Sequence, residues 1–477
     1  MKRWIARSVV MSAALLAAGC ASMHGLAPAS APASADALAA TRSLAAVEVS
    51  PAAWPEAQWW KAFGDPALTA LIDQALAGNP SLKVAQARTR RALAYAASAK
   101  ASLSPRVDAG GEATREIYSE SSFYPPPIGG SWDTYYRLQA TLNWEIDFWG
   151  KNRAAWESAV GEAKAAEVDA QAARLALAVN VAQAWVRLQR AYQQRDIAQA
   201  TLERRERLYA LTRERNAAGI DSRLELKQTE ETLPAARERI EQIDETIALT
   251  RNQLAALLGE GPDRGLAIAR PDAHALGSLA LPTVIPAELL GRRPDVVAQR
   301  LRIEAAQKDI AVAKAEFYPN VNLAAFVGLE SLGAAHFFSA ASHVAGIGPA
   351  ITLPIFDAGR LRANLAARDA DYDAAVERYN QTLVDAMRDV VDQLVSFRSV
   401  EAQRTQQAQA LAAARDAYDL ALLRYREGIG NYLQVLFAEQ PLLVQQSLDV
   451  DLRSRELVLS INLIRALGGG YSEKSPS

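Results

Sequence analysis

The chain has 477 residues, half of them hydrophobic, and its 52 Lys+Arg against 54 Asp+Glu leave a net charge of -2. That balance, with no basic cluster along the chain, removes the electrostatic case for a nucleic-acid partner. Much of the hydrophobic half is alanine, which points to long helices in close side-by-side contact rather than a thick globular core.

Taken in chain order, the first element is "MKRWIARSVVMSAALLAAGC", residues 1–20. Lys2, Arg3 and Arg7 form a charged start, and Val9 to Ala18 an apolar run too short to span a bilayer. Residues 1–19 are read as a signal peptide. Its end, Ala18-Gly19-Cys20, resembles a bacterial lipobox, in which the cysteine thiol is acylated; Ala17 stands where leucine is usual. Cys20 is the only cysteine, so the chain has no intrachain disulfide, and ordinary secretion with a leftover thiol is the alternative. Residues 20–53, rich in Ala, Ser and Pro, predict a flexible tether. No other segment has 18 consecutive apolar residues, so no transmembrane helix is expected.

The body is written twice. "DFWGKNRA" (147–154) aligns with "FDAGRLRA" (356–363) at a shift of 209. The same shift pairs "GIDSRLEL" (219–226) with "GIGNYLQV" (428–435), and "LAALLG" (254–259) with "LIRALG" (463–468). Upstream the shift is 214, pairing "NPSLKVAQAR" (79–88) with "RPDVVAQRLR" (293–302). A first repeat at 54–262 is therefore expected to hold a helix, a β-hairpin at 106–147, a long helix at 151–218 and a helix at 222–258. A connector covers 263–285. The second repeat, 286–468, holds a helix, a hairpin at 320–357, a long helix at 360–427 and a helix at 430–467; 469–477 is a tail.

Strands are predicted at 106–118, 134–147, 320–331 and 345–357, with Pro349 and Pro354 making the last irregular. From Tyr136 to Asp147 the alternation has no slip, placing Leu138, Leu142, Trp144 and Ile146 on one face and Arg137, Gln139, Asn143 and Glu145 on the other. Gly150 and Gly359 then mark the joints where strand gives way to helix. Each of the stretches 151–218 and 360–427 runs 68 residues without proline, and Gly161 is the one glycine in either. Unbroken, each makes a helix of about 100 Å, a length that has to pack on other helices as coiled coils do.

Four strands in two hairpins cannot build a soluble sandwich, whereas strands of this length with one apolar face suit an outer-membrane barrel. Open sheet edges are not tolerated in lipid, so the chain has to oligomerise. Two copies would give eight strands and a filled interior; three would give twelve and a passage. The polar row favours three or more chains.

Several motifs then carry a resemblance from Trp54 to Tyr471. They are "WWKAFGDPALTALIDQALAGNPSL" (59–82), "WEIDFWGKNR" (144–153), "ELLGRRPDVVAQRLRIEAAQKDIAVAKAEFYPNVNL" (288–323), "GPAITLPIFDAGR" (348–360), "RYREGIGNYLQVL" (424–436) and "ALGGGY" (466–471). The chain resembles the TolC-like outer membrane factors of tripartite efflux systems, in their lipoprotein branch. The resemblance implies a mainly α protein with a small membrane β-barrel portion: a homotrimer with four strands per chain in a twelve-stranded barrel, above a long α-helical coiled-coil tunnel. It also implies a periplasmic adaptor and an inner-membrane pump of the resistance-nodulation-division type, with lipid on Cys20 holding the chain to the outer membrane.

By the same resemblance Gly219-Ile220 and Gly428-Ile429 are the periplasmic tips that meet the adaptor, or turn chemistry alone. Leu433 and Phe437 match the positions that narrow the resting tunnel, with Phe437 standing where many relatives carry aspartate. Packing in the coiled-coil seam is its alternative role. Pro234 and Pro441 read as bends with or without a gating role, and Arg424, Arg426, Glu427 and Asp416 as solvated charges or inter-helix ion pairs.

Nothing in the sequence assembles a catalytic group. The four histidines, 24, 274, 336 and 343, are scattered, and no nucleophile-base pair, metal-ligand spacing or phosphate-binding loop occurs. No cofactor or metal is expected. Two rivals are an exit channel for type I protein secretion and a non-channel coiled-coil lipoprotein of the periplasm.

Overall fold

A computed structural model describes residues 22–34, 55–272 and 292–472. In chain order, helices α1 (Pro66–Gly78) and α2 (Pro80–Ala101) lead into strands β1 (Arg106–Ile117) and β2 (Trp132–Glu145). The long helix α3 (Lys151–Ala217), α4 (Arg223–Leu258) and the short α5 (Asp263–Leu266) complete the first half. The second half repeats the order with α6 (Pro294–Ala315), β3 (Asn320–Leu332), β4 (His343–Thr352), the long helix α7 (Arg360–Arg426) and α8 (Tyr432–Ala466). Both long helices count 67 residues. Pro234 and Pro441 sit inside α4 and α8, which continue through them.

Both hairpins join one antiparallel sheet in the order β1-β2-β3-β4. Its second strand ends at Glu145 and its fourth at Thr352, short of the 147 and 357 that alternation predicts. In the fourth case Pro354 has no N–H to give a ladder. The register places Val107 opposite Leu142, Ala109 opposite Ala140 and Ala325 opposite Leu142, so the apolar rows of both hairpins share one face.

Two compact units divide the described chain, and each takes segments from both sequence repeats. One holds 22–32, 88–166 and 298–379, including the whole sheet; the other holds 33–34, 55–87, 167–272, 292–297 and 380–472. The second is built on a core of Trp59, Trp60, Phe63, Ile72, Trp185 and Leu254. Asp65 caps α1 by accepting from the N–H groups of Ala67 and Leu68, and its second oxygen accepts the Trp185 indole N–H at 2.7 Å.

The motifs "RRPD" and "ALGGG" meet in this same unit. Arg293, buried, forks onto Asp295 and donates to the Ala466 carbonyl at 3.2 Å. A Cβ on Gly468 would fall 1.8 Å from the Arg292 carbonyl oxygen, so only glycine lets the two backbones approach.

Composition predicts a flexible tether over 20–53; within it the described residues, 22–34, make specific contacts. Met23 and Leu26 pack on Ile310, Ala313 and Leu365. Asp373 accepts the Ala29 and Ser30 N–H groups at 2.9 and 2.8 Å, and Asn380 accepts that of Ala33 at 2.8 Å. Two apolar side chains and satisfied backbone donors are enough to order a segment whose average composition suggests otherwise. The signal peptide, Cys20, residues 35–53, most of the connector and His274 lie outside the described residues.

Candidate functional site: sheet lumen and helical tips

The sheet is two-faced. On one face β2 presents Tyr135, Arg137, Gln139, Thr141, Asn143 and Glu145, opposed in β1 by Thr114, Glu112, Gly110, Asp108 and Arg106. Arg137 donates to the Tyr135 hydroxyl at 2.8 Å and lies 3.8 Å from Glu330 of β3. On this face β3 and β4 bring small residues, Ala324, Gly328, Gly346 and Gly348, around the single aromatic ring of Phe326. The opposite face carries the predicted lipid-facing residues Leu138, Leu142 and Trp144, beside Val107, Leu323, Val327 and Leu329. Ile146 falls one residue beyond β2, and its N–H still donates to the Val321 carbonyl at 2.9 Å. Strands of 10 to 14 residues meet the length a tilted strand needs to cross a bilayer. Among the described residues no helix is long and apolar enough to do so.

Below the sheet, the two joints use one device. Gly150 and Gly359 take φ of 73° and 87°. An aspartate just upstream closes each helix: Asp147 accepts from the N–H groups of Asn152 and Arg153, and Asp357 from those of Gly359 and Leu361. These carboxylates satisfy first-turn donors at the positive end of the helix dipole. Trp149 stacks on Tyr318 with ring centroids 4.7 Å apart and donates to the Pro319 carbonyl at 2.8 Å.

The tips repeat one turn. Gly219 and Gly428 both have φ of 74°. In each, the following isoleucine N–H reaches back to an arginine carbonyl, Ile220 to Arg215 at 2.9 Å and Ile429 to Arg424 at 3.0 Å, which closes the helix in a Schellman motif. Ser222 with Glu225 forms a capping box on α4, and Asn431 caps α8. Ile220 and Ile429 stand 64 and 70 % exposed.

Between the tips lies a polar cluster that the sequence reading missed. Arg215 forks onto Asp221 at 2.9 and 3.2 Å and donates its third arm to the Tyr425 carbonyl at 3.1 Å. The Tyr425 hydroxyl donates to Asp221 at 2.5 Å and lies 2.9 Å from the Thr212 hydroxyl. The Arg215 guanidinium covers the Tyr425 ring at 4.6 Å. Tyr425 is fully buried, and burial, with the bond to Asp221 adding to it, pushes its phenol up to about 12. The bond to Asp221 likewise holds the Arg215 guanidinium above its ordinary value. Arg424 and Arg215 occupy equivalent positions in the repeat, but where copy one has Asp221 copy two has Gly430. That unlike pair, with Asn216 standing where copy two has Tyr425, was the available signal. Arg424, Arg426, Glu427 and Asp416 are not part of the cluster.

About three turns back along α3 from Arg215, Arg205 joins both copies. It donates to Glu439 of α8 at 2.9 Å and to the Thr232 carbonyl of α4 at 3.1 Å. The pair is buried, with side chains 11 and 5 % exposed. On another face of α8 lie Leu433 and Phe437, 43 and 68 % exposed. The core face of α8 is formed instead by Tyr432, Val435 and Leu442, so Phe437 is not part of a seam within this chain. His24, His336 and His343 stay apart from these features, and no cluster able to hold a metal ion occurs among the described residues.

The model of the family described as "Outer membrane efflux protein" matches residues 71–260 and 285–469. The chain is 41% identical to the fusaric acid resistance protein FusA of Burkholderia cepacia, over 76% of this chain and 68% of that protein. It is 32% identical to the multidrug resistance outer membrane protein MdtP of Escherichia coli, over 89% of this chain and 88% of that one. The crystal structure of the outer membrane protein VceC from Vibrio cholerae superposes with a TM-score of 0.82 at 37% identity, covering 87% of this chain and 100% of that one. A mainly helical chain with a four-stranded, two-faced sheet, matched over both its halves, belongs to the outer membrane efflux protein family, the TolC-like channels of the bacterial outer membrane.

Proposed function

We propose that three copies of this chain close their sheets into a twelve-stranded barrel and form the exit duct of a tripartite efflux pump. The observation that carries this is the sheet itself, four strands with one polar and one apolar face whose outer strands, β1 and β4, have no further strand beside them among the described residues. In lipid such edges have to pair with another copy, and the Arg137, Glu112 and Glu330 face then lines the passage. The duct has no chemistry of its own. Energy comes from an inner-membrane pump of the resistance-nodulation-division type, joined through a periplasmic adaptor that seats on the exposed Ile220 and Ile429 tips. Its cargo is small organic molecules, the class to which the fusaric acid and drugs in its relatives' names belong. Lipid on Cys20 adds a second hold on the membrane.

Leu433 and Phe437, one turn apart on an exposed face of α8, form the constriction. Three copies of Phe437 make an apolar plug, which closes by packing and dewetting rather than by charge. The Arg215–Asp221–Tyr425 cluster holds the tips of each chain together in the closed state. The test is single-channel recording of purified trimers in planar bilayers. Phe437→Ala raises conductance at least severalfold while leaving the thermal midpoint unchanged; an unchanged conductance removes Phe437 from the constriction.

A further inference from the structure

A half-open cleft of about 220 Å³ lies between α3, α4 and α8 and takes one stripe of side chains from each. From α3 come Ile197 and Arg205, and from α4 Ala236, Arg239 and Ile243. Helix α8 adds Gln440, Leu443 and Ser447. Spacings of three, four, seven and eight residues keep each set on one face of its helix. Ala236 and Ile243 are buried and Ile197 and Leu443 half-buried, so the cleft has an apolar floor.

Its charge is one-sided. Two arginines line it, and no carboxylate does among the described residues. Arg205 is matched by Glu439 at 2.9 Å. Arg239 is exposed, and its guanidinium donates to the neutral Gln242 side chain at 3.1 Å instead of to an acid. Gln440 and Ser447 contribute an amide and a hydroxyl. An apolar floor, one cation that no acid matches and a few neutral polar groups suit an organic anion with a ring-sized apolar body.

The cleft also lies where two helices are weakest. Pro234 and Pro441 directly adjoin its lining residues Ala235 and Gln440. Neither proline has an N–H, so the carbonyls of Glu230 and Phe437, four residues earlier, lose their helical donors. In α8 the missing bond thus falls on Phe437 itself, and Gln440 follows Phe437 by one turn. An occupant touching α3 and α4 on one side and α8 on the other spans the same helices that Arg205 joins.

We propose that this cleft binds an amphipathic organic anion, its carboxylate on Arg239 and its ring on Ile197, Ile243 and Leu443, and that the bound anion braces α8 beside Phe437 and favours the closed channel. The second half rests on the reading of Phe437 as the constriction; binding does not.

The probe is 1-naphthoate, with neutral 1-naphthalenemethanol as its uncharged match. Binding is read by equilibrium dialysis against full-length trimers in lipid nanodiscs, with empty nanodiscs as the blank, and gating by leak conductance in planar bilayers. The expected result is one saturable naphthoate per chain, with naphthalenemethanol bound at least tenfold more weakly. Arg239→Gln weakens naphthoate about tenfold through loss of one charge-assisted contact, and Arg239→Lys restores most of it. Arg207→Gln, which removes an exposed arginine of α3 outside the cleft, leaves binding as it was. Saturating naphthoate lowers the leak by about half as the closed state gains weight, and does so far less in Arg239→Gln. Equal binding of the two probes, or equal losses in Arg239→Gln and Arg207→Gln, overturns the anion site. Saturable binding with an unchanged leak overturns the brace. If Phe437→Ala by itself leaves conductance at the wild-type level, the constriction reading falls and the brace with it, while the dialysis result still decides the site.

Discussion

The two helical tips have the same backbone and different chemistry. Gly219 and Gly428 share φ of 74°, both turns are Schellman closures, and each following helix opens on a side-chain cap. The side chains then divide the work. Copy one supplies Arg215 and Asp221, a buried charged fork; copy two supplies the Tyr425 hydroxyl and carbonyl that the fork grips, along with the exposed Leu433 and Phe437. Duplication preserved what reverses the chain and let diverge what touches another surface. Symmetric geometry thus carries an asymmetric contact, in which neither copy can make the lock alone.

The largest expected effect comes from the deepest link between copies. Arg205 and Glu439 are desolvated together, so removing one leaves a buried charge without its partner. Glu439→Ala or Arg205→Ala should each lower stability by about 3–5 kcal/mol, read as a fall in the thermal midpoint of detergent-solubilised protein. The double replacement Arg205→Met with Glu439→Leu sharpens the point, since an apolar pair of similar volume restores most of the loss. If the single changes cost no more than a surface ion pair, the coupling of the copies at this level is weaker than the burial indicates.

Next comes the lock. Asp221→Ala takes the shared carboxylate acceptor from the Arg215 guanidinium and the Tyr425 hydroxyl, at roughly 1–3 kcal/mol, and should increase leak conductance in bilayers. Glu427→Ala, an exposed change at the second tip, should leave conductance as it was. The pH dependence has a definite sign. Because the Tyr425 phenol is raised to about 12, its contribution is complete below the ordinary tyrosine value of about 10 and is lost as pH climbs through about 12. Alkaline titration followed by tyrosinate absorbance should find several late-titrating tyrosines, Tyr432 among them, and one fewer in Tyr425→Phe.

Much of this was legible in the sequence because it depends on local rules. Uninterrupted helical stretches, glycine at reversals and strict alternation at Tyr136–Asp147 are set by neighbours in the chain, and so was the apolar row of Leu138, Leu142 and Trp144. The lock was not legible, because Asp221 and Tyr425 lie 204 residues apart and meet only through tertiary packing. The contacts of residues 22–34 were not legible for the opposite reason: composition averages over a window, while Met23, Leu26 and three backbone donors act one at a time. The end of β4 also shows a local rule partly heard, since Pro354 was noticed as an irregularity and proved to lie beyond the strand.

The smallest effect tests the comparison most cleanly. A Cβ built on Gly219 or on Gly428 meets nothing within 4 Å, so alanine at either site adds no clash. What remains is the intrinsic penalty of an L-residue in the left-handed region, about 1–2 kcal/mol. If backbone equivalence is what duplication kept, Gly219→Ala and Gly428→Ala should lower the thermal midpoint equally, and their effects should add in the double variant. Conductance should separate them. Strain at Gly219 acts directly on the turn that carries Asp221 and loosens the lock, whereas strain at Gly428 is relieved into Gly430 and the open space around Ile429. Equal midpoints with unequal leak would place the shared element in the backbone and the division of labour in the side chains; unequal midpoints would show that the two turns, despite one φ value, are not the same structure.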